Sequence, residues 1–160
     1  MIKIISAIFM IIFSTSLYSD EVDFNIDKYS MEAKKSNKHI ILFLHKDNCG
    51  FCERMSFTLE EDKLSKAIKK DFILLDINRD DDEIVSYQDF KGSNAKFLKA
   101  LGVNFYPLLM FINPKSNKII YTISGYKDSD KVLVVLDYIK SNSYTKMTLE
   151  EFEDRLFFNE

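Results

Sequence analysis

The chain has 160 residues, a formal net charge of −3 and 46% hydrophobic residues. This length suits one domain with an apolar core of its own. The weak acidity and the absence of a Lys/Arg cluster argue against a nucleic-acid-binding protein, and 14% aromatic residues argue against a largely disordered chain. The two cysteines are too few for a disulfide scaffold.

The first 19 residues have the pattern of an export signal. One lysine precedes an apolar run at residues 4–13, and small residues follow before an acidic pair. The run is too short to cross a bilayer comfortably, so we expect a cleaved signal peptide rather than a membrane anchor. Cleavage is expected after Ser16 or Ser19. The mature protein would then be a single periplasmic domain within residues 20–160.

Apolar runs and helical periodicity alternate along the rest of the chain. Strands are predicted at 39–45, 72–77, 108–112 and 119–124, the last two forming a hairpin. Helices are predicted at 27–35, 53–59, 63–70, 94–101 and 129–140. Asp62 is the expected N-cap of one helix, a capping box at 148–151 precedes a short C-terminal helix, and 78–92 is expected to be a loop. The order predicts an α/β fold whose mixed central sheet is covered on both faces.

Both cysteines lie in one short segment, Cys49 and Cys52, between a predicted strand and a predicted helix. Residues three apart at a helix start are neighbours, close enough for a disulfide to open and close. Cys49 would lie at the helix N-terminus, where free N–H groups and the helix dipole favour a thiolate. Cys49 is therefore the expected nucleophile. Cys52, one turn inward, is the expected resolving thiol.

Two other interpretations of the cysteine pair remain open. One is a permanent structural disulfide, which an oxidising compartment would permit. The other is half of a metal site, but the chain has no second Cys-x-x-Cys, and only His39 and His45 are available as histidine ligands. We therefore expect no metal and no cofactor beyond the redox-active disulfide.

The residues Asn48-Cys49-Gly50-Phe51-Cys52, followed about 55 positions later by Tyr106-Pro107-Leu108, resemble the thioredoxin fold. Further similarities are the segments Cys52-Glu53-Arg54-Met55, Asp76-Ile77-Asn78 and Gly125-Tyr126. Together with the leader, they resemble most the exported thioredoxin-related proteins of the SoxW type. The resemblance covers about residues 25–142 and implies a three-layer α/β/α arrangement.

The same resemblance implies that the Tyr106-Pro107 bond is cis, that it packs against the disulfide and that the backbone before it pairs with an extended substrate. An ordinary trans proline at the start of a strand is the alternative. Gly50, Phe51, Phe105 and Tyr106 are expected to contact the substrate, although Phe105 could equally be a core residue.

The chain departs from thioredoxin at two buried positions. Where thioredoxin has a buried carboxylate and a lysine, this chain has Phe43 and Leu74. The usual proton relay to the resolving cysteine is therefore expected to be absent. His45 or a water could replace it, but a histidine at a strand end is more often simply solvated.

We expect a periplasmic thiol–disulfide oxidoreductase that reduces disulfides in exported proteins and is itself reduced by a membrane electron donor. Phe51 carries no charge that would stabilise a thiolate and make the protein a strong oxidant. A thiol oxidase or disulfide isomerase with the same pair is one alternative, and a non-catalytic, thiol-dependent metal-binding module is another. Calcium binding is not expected, because the acidic segment from Asn78 to Asp89 lacks the glycine of a calcium loop.

Overall fold

The computed structural model describes residues 21–158. The strands are β1 (Phe24–Asn25), β2 (His39–His45), β3 (Phe72–Asn78), β4 (Ile84–Tyr87), β5 (Phe90–Ser93), β6 (Leu108–Asn113) and β7 (Lys118–Ser124). The α-helices are α1 (Ile26–Ser36), α2 (Gly50–Glu60), α3 (Asp62–Asp71), α4 (Asn94–Ala100), α5 (Ser129–Lys140) and α6 (Leu149–Phe158). The predicted signal peptide lies outside the described residues.

The main sheet has the strand order β3-β2-β6-β7. β2 is a continuous apolar run in the middle of this sheet, parallel to β3 and antiparallel to β6. Its five inner residues are all buried, as expected for a strand covered on both faces. Leu44 is paired with Leu108 in β6, so β2 ends at the edge of the sheet where β6 begins.

Helices cover both faces of this sheet and create two apolar cores. On one face, α2, α3 and α5 contribute Met55, Leu64 and Val135 to a buried cluster with Phe43 of β2. On the other face, α1 and α4 pack on the alternate residues of β2 and β3. The predicted three-layer α/β/α arrangement with a mixed sheet is confirmed.

The prediction of a loop over 78–92 was wrong in its second half. β4 and β5 form an antiparallel hairpin there, and β4 also pairs in parallel with β1 in a small three-stranded sheet. Val85 and Tyr87 of β4 are buried against α1 and α4. The hairpin closes through Gln88, whose φ of 54° is in the left-handed region, and this turn carries none of the glycine signals by which hairpins are recognised.

Two predicted helix starts also differ from the structure. α2 begins at Gly50 with Cys49 as its N-cap, three residues before the predicted start. Asp62 is the first residue of α3 rather than its cap, and Glu61 occupies the cap position without a side-chain cap hydrogen bond. The N–H of Glu61 donates to the carbonyl of Thr58 in the last turn of α2. Glu61 is therefore the single residue between α2 and α3.

The predicted capping box starts α6 as expected. The N–H of Thr148 donates to Glu151 Oε2 at 2.8 Å, and the N–H of Glu151 donates to Thr148 Oγ1 at 3.2 Å. Phe152 then packs on Tyr138 of α5, with ring centroids 5.4 Å apart. Between residues 21 and 158, no helix combines the length and apolarity that crossing a membrane would require.

Candidate active site

The cysteine pair follows the buried strand β2 after a short polar turn. Two hydrogen bonds tie this turn to the residues around the end of β3: the N–H of Asp47 donates to Asp80 Oδ2 at 3.1 Å, and Asn78 Nδ2 donates to Asp47 Oδ1 at 2.9 Å. Asn48 has a φ of 52°, which turns the chain sharply into α2. The turn is therefore held in place by the sheet rather than by the helix that follows.

Cys49 is the N-cap residue of α2. Its carbonyl accepts hydrogen bonds from the N–H groups of Cys52, at 2.8 Å, and Glu53, at 3.1 Å. The helix start has no side-chain cap hydrogen bond, and Cys49, as the N-cap residue, lies at the positive end of the helix dipole. This environment favours a thiolate at Cys49 when the disulfide is reduced.

Cys49 and Cys52 form a disulfide in the structure, with their Cα atoms 5.2 Å apart. The two sulfurs differ in access: Cys49 is partly exposed, whereas Cys52 is 3% exposed and belongs to the buried face of α2. An incoming thiol or disulfide can therefore reach Cys49, while Cys52 is shielded. The arrangement suits an attacking and a resolving cysteine.

Pro107 lies at the same edge of the sheet as the cysteines, directly before β6. The Tyr106-Pro107 peptide bond is cis, and the proline is buried. Its carbonyl accepts a hydrogen bond from the N–H of Gly125 at 2.8 Å. Gly125 follows β7 with a φ of 73°, a conformation that glycine adopts without steric cost. This bond fastens the proline segment to the end of the neighbouring strand.

The four residues predicted to contact substrate lie on the segments around the cysteines and Pro107. Phe51 is 60% exposed and Phe105 is 75% exposed, so Phe105 is not a core residue. Gly50 is exposed, and a Cβ added there would meet nothing within 4 Å. Tyr106 is partly buried, and this burial raises the pKa of its hydroxyl. The Lys46 ammonium lies 5.9 Å from the Tyr106 ring centroid.

Phe43 and Leu74 contribute to the apolar cluster beneath α2. Neither position carries a charge, as the sequence shows. Two positions further along each strand, however, the structure places a hydrogen-bonded pair: His45 Nε2 and Asp76 Oδ1 are 2.6 Å apart. The sequence singled out His45 and named Asp76 only within a segment of the resemblance, because their contact depends on the register of β2 with β3 and the two residues are 31 positions apart.

A second contact that the sequence did not reveal joins α2 to the segment after β7. The Arg54 guanidinium carbon lies 4.4 Å from the centroid of the Tyr126 ring. This cation–π contact holds the first turns of α2 next to the glycine that binds Pro107. No group of three or more His, Cys, Asp or Glu side chains in the described part of the chain could hold a metal ion.

Comparisons with known proteins agree with this geometry. Residues 27–140 match the model of the thioredoxin-like domain family. No curated protein sequence matches the chain significantly.

Solved structures show the same fold. A thioredoxin-fold protein from Helicobacter pylori has 24% identity and a TM-score of 0.63, with 75% of this chain and 80% of that chain covered. A thioredoxin from Thermus thermophilus has 15% identity and a TM-score of 0.58, with coverage of 72% and 84%. A DsbH oxidoreductase has 16% identity and a TM-score of 0.54, with coverage of 75% and 85%.

Proposed function

Because the chain belongs to the thioredoxin-like domain family and carries a Cys-x-x-Cys disulfide, it is a thiol–disulfide oxidoreductase, and we propose that it reduces disulfides in exported proteins. The observation that carries the proposal is the unequal access of the two sulfurs: Cys49 is reachable at a helix N-terminus, and Cys52 is buried one turn behind it. A permanent structural disulfide would not need this asymmetry.

The reaction uses both cysteines in two exchange steps. The Cys49 thiolate attacks one sulfur of the target disulfide, and the other target sulfur leaves as a thiolate that takes up a proton. Cys52 then loses its proton and attacks the Cys49 sulfur of the mixed disulfide. The Cys49–Cys52 disulfide forms, the second target sulfur leaves and is protonated, and the target has gained two electrons and two protons.

Pro107 and the exposed aromatic residues give this site a surface for a protein substrate. The segment before Pro107 lies at the edge where β2 and β6 meet, close along the sheet to the start of α2. Phe51 and Phe105 are large apolar side chains exposed to solvent, and such residues gain by contact with an extended apolar peptide. In this proposal the target segment lies across Gly50, Phe51, Phe105 and Tyr106.

The direction of the reaction follows from what surrounds Cys49. Strongly oxidising pairs owe their high potential to a stabilised thiolate in the reduced form. Here the two residues between the cysteines are Gly50 and Phe51, which bring no positive charge to Cys49. The helix dipole alone favours only moderate stabilisation of the thiolate, so a reductase is expected.

The leader at residues 1–19 supports an exported location, outside the reach of cytosolic reductants. After each turnover the disulfide must then receive two electrons and two protons from elsewhere. A membrane electron donor that presents a dithiol on the exported side would supply them. Mass measurement of the protein recovered from the periplasm tests the export of the protein. It should show cleavage of the leader after Ser16 or Ser19.

Equilibration with glutathione or dithiothreitol buffers tests the direction. We expect a potential of about −200 to −270 mV, the range of thioredoxins and glutaredoxins, and reduction of insulin disulfides by the reduced protein. A potential near about −120 mV, as in strong oxidants, would overturn the reductase assignment and favour an oxidase. Stoichiometric metal retention without any disulfide exchange would instead indicate a metal-binding module.

A further inference from the structure

The second exchange step needs a base near Cys52. This cysteine is 3% exposed, and a thiol in apolar surroundings keeps its proton. Only the thiolate attacks the mixed disulfide, so the proton must leave at that moment. α2 places Met55, Thr58 and Leu59 with Cys52 on its buried face, and none of these side chains can take the proton.

His45 is the titratable side chain that β2 brings to this region. Side chains two apart on a strand lie on the same face of the sheet, and Ile41 and Phe43 on that face pack against Met55 and Leu59 of α2. The His45 ring continues this row, stacked on Phe43 with centroids 4.8 Å apart. It therefore lies at the end of the row, towards the N-terminus of α2, where Cys52 is the first buried residue.

Asp76 holds the imidazole from the neighbouring strand. The carboxylate can only accept, so His45 Nε2 donates its hydrogen across the 2.6 Å contact with Asp76 Oδ1. This bond leaves Nδ1 as the ring nitrogen that can accept a proton, and it stabilises the imidazolium that would result. The His45 side chain is 22% exposed and that of Asp76 is 60% exposed, so a proton taken up by the ring can pass on to solvent.

We propose that the His45–Asp76 pair is the proton acceptor for Cys52 when the mixed disulfide is resolved. The inference rests on the proposed exchange chemistry of Cys49 and Cys52. The Cys52 S–H bond breaks, its proton passes to His45 Nδ1, and the thiolate attacks the Cys49 sulfur. The Cys49–Cys52 bond forms as the bond to the target sulfur breaks, and that sulfur takes a proton from the imidazolium or from solvent. His45 is the base, and Asp76 is a positioning residue.

The charged side chain that contacts the ring is that of Asp76. Arg79, whose backbone N–H donates to the His45 carbonyl at 2.9 Å, and Asp80, its partner at 3.5 Å, lie just beyond the end of β3. From β3, Asp76 faces it, and Asn78, the register partner of His45, is uncharged. The register of β2 with β6, continued by one residue, places Pro107 beside His45 on the other side. On the connecting segment, the Lys46 ammonium lies near the Tyr106 ring, and Asp47 is bound by Asn78. The buried face of α2 adds no charge.

Single-turnover reduction of 5,5′-dithiobis(2-nitrobenzoate) by an excess of the reduced full-length protein separates the two steps. Attack by Cys49 releases the first nitrothiobenzoate, and attack by Cys52 releases the second. We expect His45→Gln to slow the second release by about 10²-fold at pH 7, the scale of general base catalysis, and to change the first release less than twofold. Asp76→Asn should slow the second release by a smaller factor.

Matched controls separate a proton acceptor from a structural residue. His39→Gln changes the histidine at the other end of β2 and should alter neither release. Added imidazole should restore the second release in His45→Ala, which a packing role would not allow. Because Asp76 is mostly exposed, Asp76→Asn tests the pair even if a His45 variant does not fold, which circular dichroism would show.

The outcomes distinguish this proposal from the function on which it rests. Two equivalents released with the second phase unchanged in both His45→Gln and Asp76→Asn, or with both phases slowed equally, would overturn the role of His45. Fewer than two equivalents from the wild-type protein would overturn the exchange chemistry of the cysteine pair itself, and the base assignment with it.

Discussion

The Cys49–Cys52 disulfide joins a partly exposed residue at a helix N-cap to a residue that is 3% exposed. The two sulfurs are bonded to each other, but of the two residues Cys49 is the one open to a partner protein. This asymmetry fixes the order of events, because a partner must meet Cys49 first and Cys52 can act only on the bond that Cys49 has made.

A trapping experiment follows from this order. Cys52→Ser removes the resolving thiol, so the mixed disulfide with Cys49 persists, and we expect covalent complexes with exported proteins on non-reducing gels. Mass spectrometry of the complexes would identify the substrates. Cys49→Ser is the control and should trap few or none, since Cys52 is shielded. Equal trapping by the two variants would contradict the assignment of roles.

Phe51 and Phe105 provide a separate prediction about substrate preference. Replacing either by serine should raise KM for a disulfide in an unfolded protein roughly fivefold, because about 1 kcal/mol of apolar contact is lost. The effect on a small aromatic-free disulfide should be smaller, since it cannot span the surface. Phe57→Ser is the control: Phe57 is 71% exposed on α2 but lies almost two turns beyond Phe51. A similar rise in KM with Phe57→Ser would contradict a specific substrate surface.

The sequence predicted the parts of the fold that have strong local patterns. β2, the hairpin of β6 and β7, and α5 carry continuous apolar runs or clear helical periodicity, and their observed bounds match within a residue. The hairpin of β4 and β5 was missed because its strands have four residues each and its turn contains Gln88 and Asp89 rather than glycine. Its strands are held by burial of Val85 and Tyr87 against helices distant in sequence.

In the candidate site, too, the sequence indicated residues that have a local signal and missed a contact that depends on strand pairing. The sequence indicated Cys49 and Cys52 through their local spacing, and it indicated Pro107 through the resemblance to the thioredoxin fold. Asp76 was not found, because its contact with His45 exists only once β2 and β3 pair in parallel with Phe43 opposite Asp76. A one-residue shift in that register would turn Asp76 to the other face, so no local pattern could have indicated the pair.

His39 predicts a loss of stability in mild acid. Burial, and then the nearby Lys115 ammonium, lower the pKa of His39 below its usual 6.5. As the pH falls below about 6.5, His39 therefore takes up its proton in the unfolded chain before it does so in the folded protein. The stabilisation is fully present above pH 6.5 and is lost as the pH falls through the lowered pKa. Urea unfolding from pH 7.5 to pH 5 should show this loss, and His39→Gln should reduce it.

Variants of the lysines near His39 separate the two causes of its lowered pKa. Lys115→Gln should reduce the acid loss less than His39→Gln does, because burial is the larger cause. Lys140 lies near the same residues, but its ammonium is already paired with the Asp71 carboxylate at 2.7 Å. Lys118→Gln, on the exposed start of β7, serves as the control. Parallel stability curves for the wild type and His39→Gln below pH 6.5 would contradict the prediction.

Asn94 connects the hairpin of β4 and β5 to β3, the strand that carries Asp76. Its side chain is fully buried, and its Nδ2 donates to the carbonyl of Asn78 at 2.7 Å and to Glu83 Oε2 at 2.9 Å. Its backbone N–H also donates to the carbonyl of Glu83 at 3.1 Å. The amide thus joins the end of β3, the segment before β4 and the start of α4.

Replacing this amide should therefore destabilise the protein. Asn94→Ala removes the shorter of two hydrogen bonds to the Asn78 carbonyl, which keeps the 3.3 Å bond from the N–H of Asp81, and it removes the bond to Glu83 Oε2. We expect a loss of about 1–3 kcal/mol in the free energy of unfolding, measured by urea denaturation of the oxidised protein. Asn94→Asp should cost more at neutral pH, because it places a second carboxylate against Glu83, and less as the pH is lowered. Asn104→Ala is the matched control: its amide is exposed and donates to the nearby Gly102 carbonyl, so its cost should stay within about 0.5 kcal/mol. Equal costs for the two alanine variants would show that the buried amide does not hold these three segments together.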